Sequence, residues 1–132
     1  MRLFVACELP KDVRETLSSA GRMMDASCAK VKWVEEENIH LTLKFLGEVP
    51  DRDVPAIRGA LAKVNFQTLV CRISGFGAFP DEERPRVIWA GLEPGKVIAG
   101  LHEEVESALA GLGFPKDRDF APHVTIGRVR EA

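Results

Sequence analysis

Apolar and polar residues alternate along residues 39–46, IHLTLKFL. Side chains alternate across a strand, so Ile39, Leu41, Leu43 and Phe45 share one face and His40, Thr42 and Lys44 the other. The same alternation predicts strands over 2–9, 31–34, 67–79, 86–93 and 123–129. Helical spacing appears after Pro10, where Val13, Leu17, Ala20 and Met24 recur on one side. A second helix is predicted from near Asp53, with Pro55 in its first turn, and a third from about Gly95 to Gly111. Gly47 and Pro50 end the strand that carries His40, and Gly75 and Gly77 loosen the fourth strand.

The resulting order, β-α-β-β-α-β-β-α-β, favours an α+β fold with antiparallel sheets. The chain also repeats itself. RLFVACELPKDVRETL from Arg2 aligns with RVIWAGLEPGKVIAGL from Arg86, and HLTLKFL from His40 aligns with HVTIGRV from His123. Each half therefore reads strand, helix introduced by Pro, loop, then a strand opening His-x-Thr. The expected organisation is one domain over 1–132, with repeat halves of about 1–50 and 85–132 joined by 51–84. Two such halves imply a pseudo-twofold arrangement, with equivalent strands on either side of one cleft.

Composition narrows the function. At 132 residues, 45% apolar and 29% charged, the chain has the make-up of one soluble globular domain. Its net charge of −2 lacks the basic surplus of a long nucleic-acid groove, so a nucleic-acid contact is expected to be local. Cys7, Cys28 and Cys71 are scattered and odd in number, which points to reduced thiols in a cytoplasmic protein. The opening apolar run is too short for a signal peptide, and no segment is long enough to span a membrane.

The two polar strand faces carry the candidate chemistry. A lone strand histidine is more often structural than catalytic, and threonine is common in strands for packing alone. The same pair at matching points of two repeats points instead to a shared site: His40 with Thr42, and His123 with Thr125. One imidazole takes a proton while the other gives one, because histidine titrates near neutrality. In-line displacement at phosphorus has entering and leaving oxygens on opposite sides, where two such imidazoles would stand. The scheme requires no metal or cofactor, and the two histidines lack carboxylate or thiolate neighbours in sequence for a metal site.

HLTLKFLG and PHVTIGRV, with FVACELP at the start and GAFPDEERPRVIWAGLE between, resemble the 2H phosphoesterase superfamily, in particular its RNA 2′,3′-cyclic phosphodiesterases of the LigT type, also called 2′-5′ RNA ligases. The resemblance covers essentially the whole chain. It implies a bilobal α+β fold of two antiparallel sheets with helices on their outer faces and a cleft between. It implies metal-independent hydrolysis of a 2′,3′-cyclic phosphate, on an RNA end or a small cyclic nucleotide, to a 2′-phosphate. His40 would be the proton donor to the leaving 3′ oxygen and His123 the proton acceptor that activates water, while Thr42 and Thr125 hold phosphate oxygens. Members usually continue past the second motif with a helix and strand echoing 51–79, whereas this sequence stops at Ala132.

Substrate contacts are expected from Arg128, Lys44 and Phe79. Simple alternation puts Arg128 on the face opposite His123, unless Gly127 introduces a bulge that re-aims it. Lys44, on the His40 face, would add positive potential or else stand solvated. Phe79, near a turn, is the better base-stacking candidate, and Phe45 is assigned to the core. Trp33 and Trp89 are assigned to packing, and His102 to a charged helix face with Glu103, Glu104 and Glu106. Arg84, Arg86, Arg118, Arg128 and Arg130 are the residues from which a basic patch would form. Gly75-Phe76-Gly77 is neither a P-loop nor a dinucleotide fingerprint. Two other functions fit the same residues: 2′-5′ ligation by the reverse reaction, and non-catalytic binding of nucleotide or RNA ends. The oligomeric state is not readable from the sequence.

Overall fold

The computed structural model describes residues 1–24, 30–64, 70–81, 83–117 and 119–131, with the side chains of 24 and 131 left aside. Among these, six strands and three helices follow the expected order: β1 (Arg2–Glu8), α1 (Lys11–Met24), β2 (Lys30–Trp33), β3 (His40–Glu48), α2 (Val54–Ala62), β4 (Arg72–Phe79), β5 (Val87–Glu93), α3 (Gly95–Ala110) and β6 (His123–Glu131). The fold is α+β with two antiparallel sheets, as the alternation predicts. Gly47, at φ +72°, does not end β3, which runs on to Glu48. Cys28, Arg118 and residues 67–69 of the expected fourth strand lie outside the described residues.

The chain forms two compact units, each assembled from three segments. One comprises Met1–Ala6, Thr42–Arg72 and Glu93–Pro122; the other comprises Cys7–Leu41, Ile73–Leu92 and His123–Ala132. The units are interleaved along the sequence, so each draws on both repeat halves.

In the first unit β1 and β3 form a two-stranded sheet, the amide of Val49 bonding to the carbonyl of Met1 at 2.8 Å. Helix α2 packs on α3, and Leu43, Val49, Ile57, Ile98, Leu101, Val105 and Leu109 are buried there. Burial of aliphatic side chains such as these supplies the main driving force for each unit, at about 1.5–3 kcal/mol per side chain.

The second unit is built on a four-stranded sheet in the order β2-β6-β5-β4, with α1 against β2 and β6. Its core holds Leu17, Ile39, Leu41, Ala90, Val124 and Ile126. Strand β6 pairs antiparallel with both β2 and β5. Against β5 the register breaks once: Thr125 faces Trp89, but Gly127 faces Ile88, which leaves Ile126 as the extra residue of a bulge. Trp33 explains why a glycine follows. Its indole packs where side chains at Gly21 and Gly127 would stand; a Cβ on Gly127 would lie 2.7 Å from the ring, and one on Gly21 2.9 Å. Gly127→Ala is therefore expected to destabilise by about 1–3 kcal/mol through overpacking. Gly100→Ala on α3, where an added Cβ meets nothing within 4 Å, is expected to stabilise by about 0.4–1 kcal/mol. Thermal unfolding of the two variants checks both signs.

Candidate active site

His123 opens β6 opposite Gly91, and Thr125 follows opposite Trp89. On β5, residues 87, 89 and 91 share a face, because side chains alternate. Arg128 pairs with Val87, so the bulge brings Arg128 onto the face of His123 and Thr125. Burial shows the same change of phase: Ile126 and Gly127 are consecutive buried residues, and Arg128 is exposed. Of the two faces open to Arg128, the bulge selects the one that carries His123.

Strand β4 adds an aromatic wall. The Phe79 ring meets His123 edge-on, with centroids 5.0 Å apart, and lies 5.2 Å from Trp89. Trp89, packed as expected, stands 6.3 Å from His123. Its indole Nε1 is buried without a hydrogen-bond partner among the described residues. Gly77 leaves the space that the Trp89 ring occupies. Gly91, beneath His123, allows the carbonyl of Ser74 to approach; a Cβ there would lie 2.8 Å from that oxygen. Small residues at 77 and 91 therefore shape the surroundings of His123.

His40 begins β3, just after the short 3-10 turn Glu36–Asn38. Its Nδ1 lies 2.6 Å from the carbonyl oxygen of Asn38. A carbonyl only accepts, so Nδ1 carries the hydrogen in this contact. Both histidines belong to the second unit, and His40, Thr42, His123 and Thr125 are all half-buried.

Lys44 has a different environment from the open face expected for it. Alternation along β3 fails at Leu43 and Lys44, which are both buried, and Lys44 is only 4% exposed. Its ammonium pairs with Glu106, donates to the Pro115 carbonyl at 2.9 Å and meets Asp117 Oδ1 at 3.2 Å. Asp117 accepts from His102 Nε2 at 3.0 Å, and its own amide donates to Glu106 at 2.6 Å. The His102 ring lies flat on Phe120, with centroids 3.9 Å apart. His102 and Glu106 are 5% and 2% exposed, so the charged helix face expected for them is corrected to a buried polar cluster. Phe45 is corrected in the opposite sense: it is 72% exposed, tilted against Phe4 at 6.2 Å.

The sequence does carry a signal for this cluster. Ile98, Leu101, His102, Val105, Glu106 and Leu109 all fall on the i, i+3, i+4 stripe of α3. His102, Glu106 and Asp117 present ligand atoms within 4.8 Å of one another, the makings of a metal site. The Lys44 ammonium, however, already supplies their counter-charge. Burial opposes the charge on Lys44, but hydrogen bonds to Glu106 and Asp117 outweigh it and hold its pKa above the ordinary lysine value. Burial likewise opposes the charge on Asp117, and the hydrogen bonds from His102 and Lys44 overcome it, holding the carboxyl below its usual range.

Other groups offer less chemistry. Cys7 and Cys71 are free thiols, and burial raises the pKa of Cys7, which disfavours a reactive thiolate. Among the described residues, no helix is long and apolar enough to cross a membrane.

Residues 8–89 and 92–132 match the family model described as LigT like Phosphoesterase. A protein of Archaeoglobus fulgidus named RNA 2′,3′-cyclic phosphodiesterase is 39% identical over 130 residues, 98% of this chain and 73% of the relative. A Thermotoga maritima protein of the same name is 36% identical over 132 residues, covering 98% and 71%. Among solved structures, TT0787 of Thermus thermophilus superposes with a TM-score of 0.86 at 31% identity, over 100% of this chain and 76% of that one. E. coli LigT complexed with 3′-AMP gives 0.77 at 31% identity, over 96% and 72%. Matches of this extent, in whole-chain sequence and in fold, establish that the chain belongs to the LigT-like phosphoesterase family and is an enzyme of the phosphoesterase class.

Proposed function

We propose that the protein hydrolyses 2′,3′-cyclic phosphates on RNA or nucleotide ends to 2′-phosphates, without a metal or other cofactor. The observation that carries this reading is the bulge at Ile126, which aligns Arg128 with His123 and Thr125 on one face beside Phe79. That face offers a base, a hydroxyl, a fixed cation and an aromatic edge, a set suited to a nucleoside phosphate. The names of the relatives, and the 3′-AMP bound to E. coli LigT, support the same substrate class.

In the proposed reaction His123 takes a proton from water as the water oxygen attacks phosphorus. The bond from phosphorus to the 3′ oxygen breaks, and His40 donates a proton to that oxygen. A 2′-phosphate and a 3′-hydroxyl result. The Asn38 carbonyl, bonded to Nδ1, orients His40 and stabilises its charged form before transfer. Thr42 and Thr125 donate to non-bridging phosphate oxygens, Arg128 balances their charge, and Phe79 stacks on the base. Lys44 is assigned to the buried cluster and not to substrate, because its charge is committed to Glu106 and Asp117. Ligation of a 5′-hydroxyl to a cyclic end is the reverse of the same chemistry and would use the same groups. The thiols and the substrate class fit a cytoplasmic setting.

The test is incubation with 2′,3′-cyclic AMP and excess EDTA, with the products resolved by chromatography. Adenosine 2′-phosphate is the expected product. Binding without turnover would favour a non-catalytic module, and turnover abolished by EDTA would favour a metal enzyme.

A further inference from the structure

Strand β1 is hydrogen-bonded to β3 alone among the described residues, in a sheet of two strands. The Met1 amine donates to the Val49 carbonyl at 3.0 Å, and the Val49 amide donates back to the Met1 carbonyl at 2.8 Å. In an extended strand the N–H and C=O of one residue point to the same side, and successive residues alternate. Leu3, Val5 and Cys7 therefore turn their backbone groups to β3, and Arg2, Phe4, Ala6 and Glu8 turn theirs to the other edge. Burial alternates without a break along β1, so no bulge disturbs this phase. The side chains of Arg2, Phe4, Ala6 and Glu8 are also the exposed ones. Arg2 and Glu8 stand at the two ends, and among the described residues neither has an ion-pair partner. A row of outward N–H and C=O groups is a template for a further strand.

We propose that this edge of β1 is a self-association surface, on which a second copy of the chain adds its own β1, antiparallel, about a twofold axis through Val5. The strand runs Arg2–Glu8, and Val5 is its midpoint. Pairing about that midpoint sets Arg2 opposite Glu8 of the second copy, and Phe4 opposite Ala6 of the second copy; the twofold repeats both pairs. The residues that meet are the ones whose backbone faces the edge, so every outward N–H and C=O finds a partner. Opposite charges face each other at both ends, and each phenyl ring lies beside a methyl group. Phe45, exposed and in contact with Phe4, extends the apolar strip. Other arrangements lose these features. In-register parallel pairing sets Arg2 against Arg2 and Glu8 against Glu8. Moving the axis to Phe4 takes Glu8 out of the overlap, and moving it to Ala6 takes out Arg2. The surface is thus self-complementary, as a twofold interface requires. It also turns a sheet of two strands, marginal by itself, into one of four in the order β3-β1-β1-β3. The inference is independent of the catalytic reading, since neither histidine takes part in the pairing.

The test is sedimentation equilibrium of the 132-residue protein from ~1 µM to ~300 µM, a range suited to an interface as small as one strand edge. The mass is expected to rise from that of one chain to that of two. Arg2→Glu and Glu8→Arg should each weaken association at least ~5-fold, because each puts like charges opposite one another at both ends. Mixed in equal amounts, the two variants should associate with each other about as tightly as the wild type does with itself. The antiparallel register brings the altered residue of one copy against the altered residue of the other, and the remaining native pair is intact. Ala6→Pro should abolish the dimer, since it removes an outward donor that an edge strand can forgo. The charge variants keep the test decisive if Ala6→Pro perturbs the fold, because Arg2 and Glu8 are exposed. The proposal is overturned by a wild type that stays monomeric at the highest concentration, or by single charge variants that associate as the wild type does. It is equally overturned by a mixture that binds no tighter than its components, or by a folded Ala6→Pro variant that still dimerises.

Discussion

His123→Ala and His40→Ala are each expected to lower kcat on 2′,3′-cyclic AMP by ~10²–10⁴-fold, with KM changed by much less. The asymmetry follows from where each proton moves. Neither imidazole is asked to hold the substrate in its ground state; each acts on an oxygen whose bonding changes at the transition state. The two roles are distinguishable by pH. The base must be neutral and the acid charged, so kcat/KM should be bell-shaped for the wild type. His123→Ala should remove the acidic limb and His40→Ala the alkaline limb; the opposite assignment would exchange donor and acceptor. The double variant should be little worse than the weaker single one, because groups acting in one step do not add. Turnover near the wild-type rate in the double variant would mean that other residues carry the chemistry.

The second large effect concerns stability. Lys44→Met should cost about 3–5 kcal/mol, because it leaves the Glu106 carboxylate buried without its counter-charge. For a chain of this size, that corresponds to a fall in Tm of about 10 °C or more. Lys44→Met combined with Glu106→Leu should recover most of the loss, since it removes both charges and fills the site with apolar volume. The pH dependence follows from the directions of the two shifts. Asp117 is held below its unfolded pKa, so its contribution is present above that pKa and is lost as pH falls through the depressed value. Lys44 is held above its unfolded pKa, so its contribution persists up to alkaline pH and fades as pH rises through the raised value. The cluster should therefore hold across the neutral range, and Asp117→Asn should flatten the acid limb of Tm against pH. An unchanged Tm for Lys44→Met would show that the pair contributes no net stability.

Period-2 alternation places every strand within a few residues, because each sheet buries one face and exposes the other over most of its length. The repeat makes the histidine pair visible, since two weak matches at equivalent points reinforce each other. Lys44 and Phe45 depart from the alternation for a physical reason. The polar side of β3 is covered near Lys44 by residues 115–117, more than seventy positions away in the chain, and no local pattern encodes that cover. For His102 and Glu106, residue type suggests a solvated face, and their place on the buried stripe of α3 outweighs it. Arg128 is ambiguous in sequence because Gly127 permits a bulge without requiring one. The decisive partner is Trp33, whose ring fills the space that Gly127 leaves beside it.

The interleaving of the two units has a consequence for how the molecule can be divided. The chain passes from one unit to the other inside the His40–Thr42 motif and again immediately ahead of His123. A fragment cut at the boundary of the sequence duplication would carry incomplete parts of both bodies and finish neither. Because each body draws its segments from along the whole chain, no single cut anywhere in the backbone can release either of them intact.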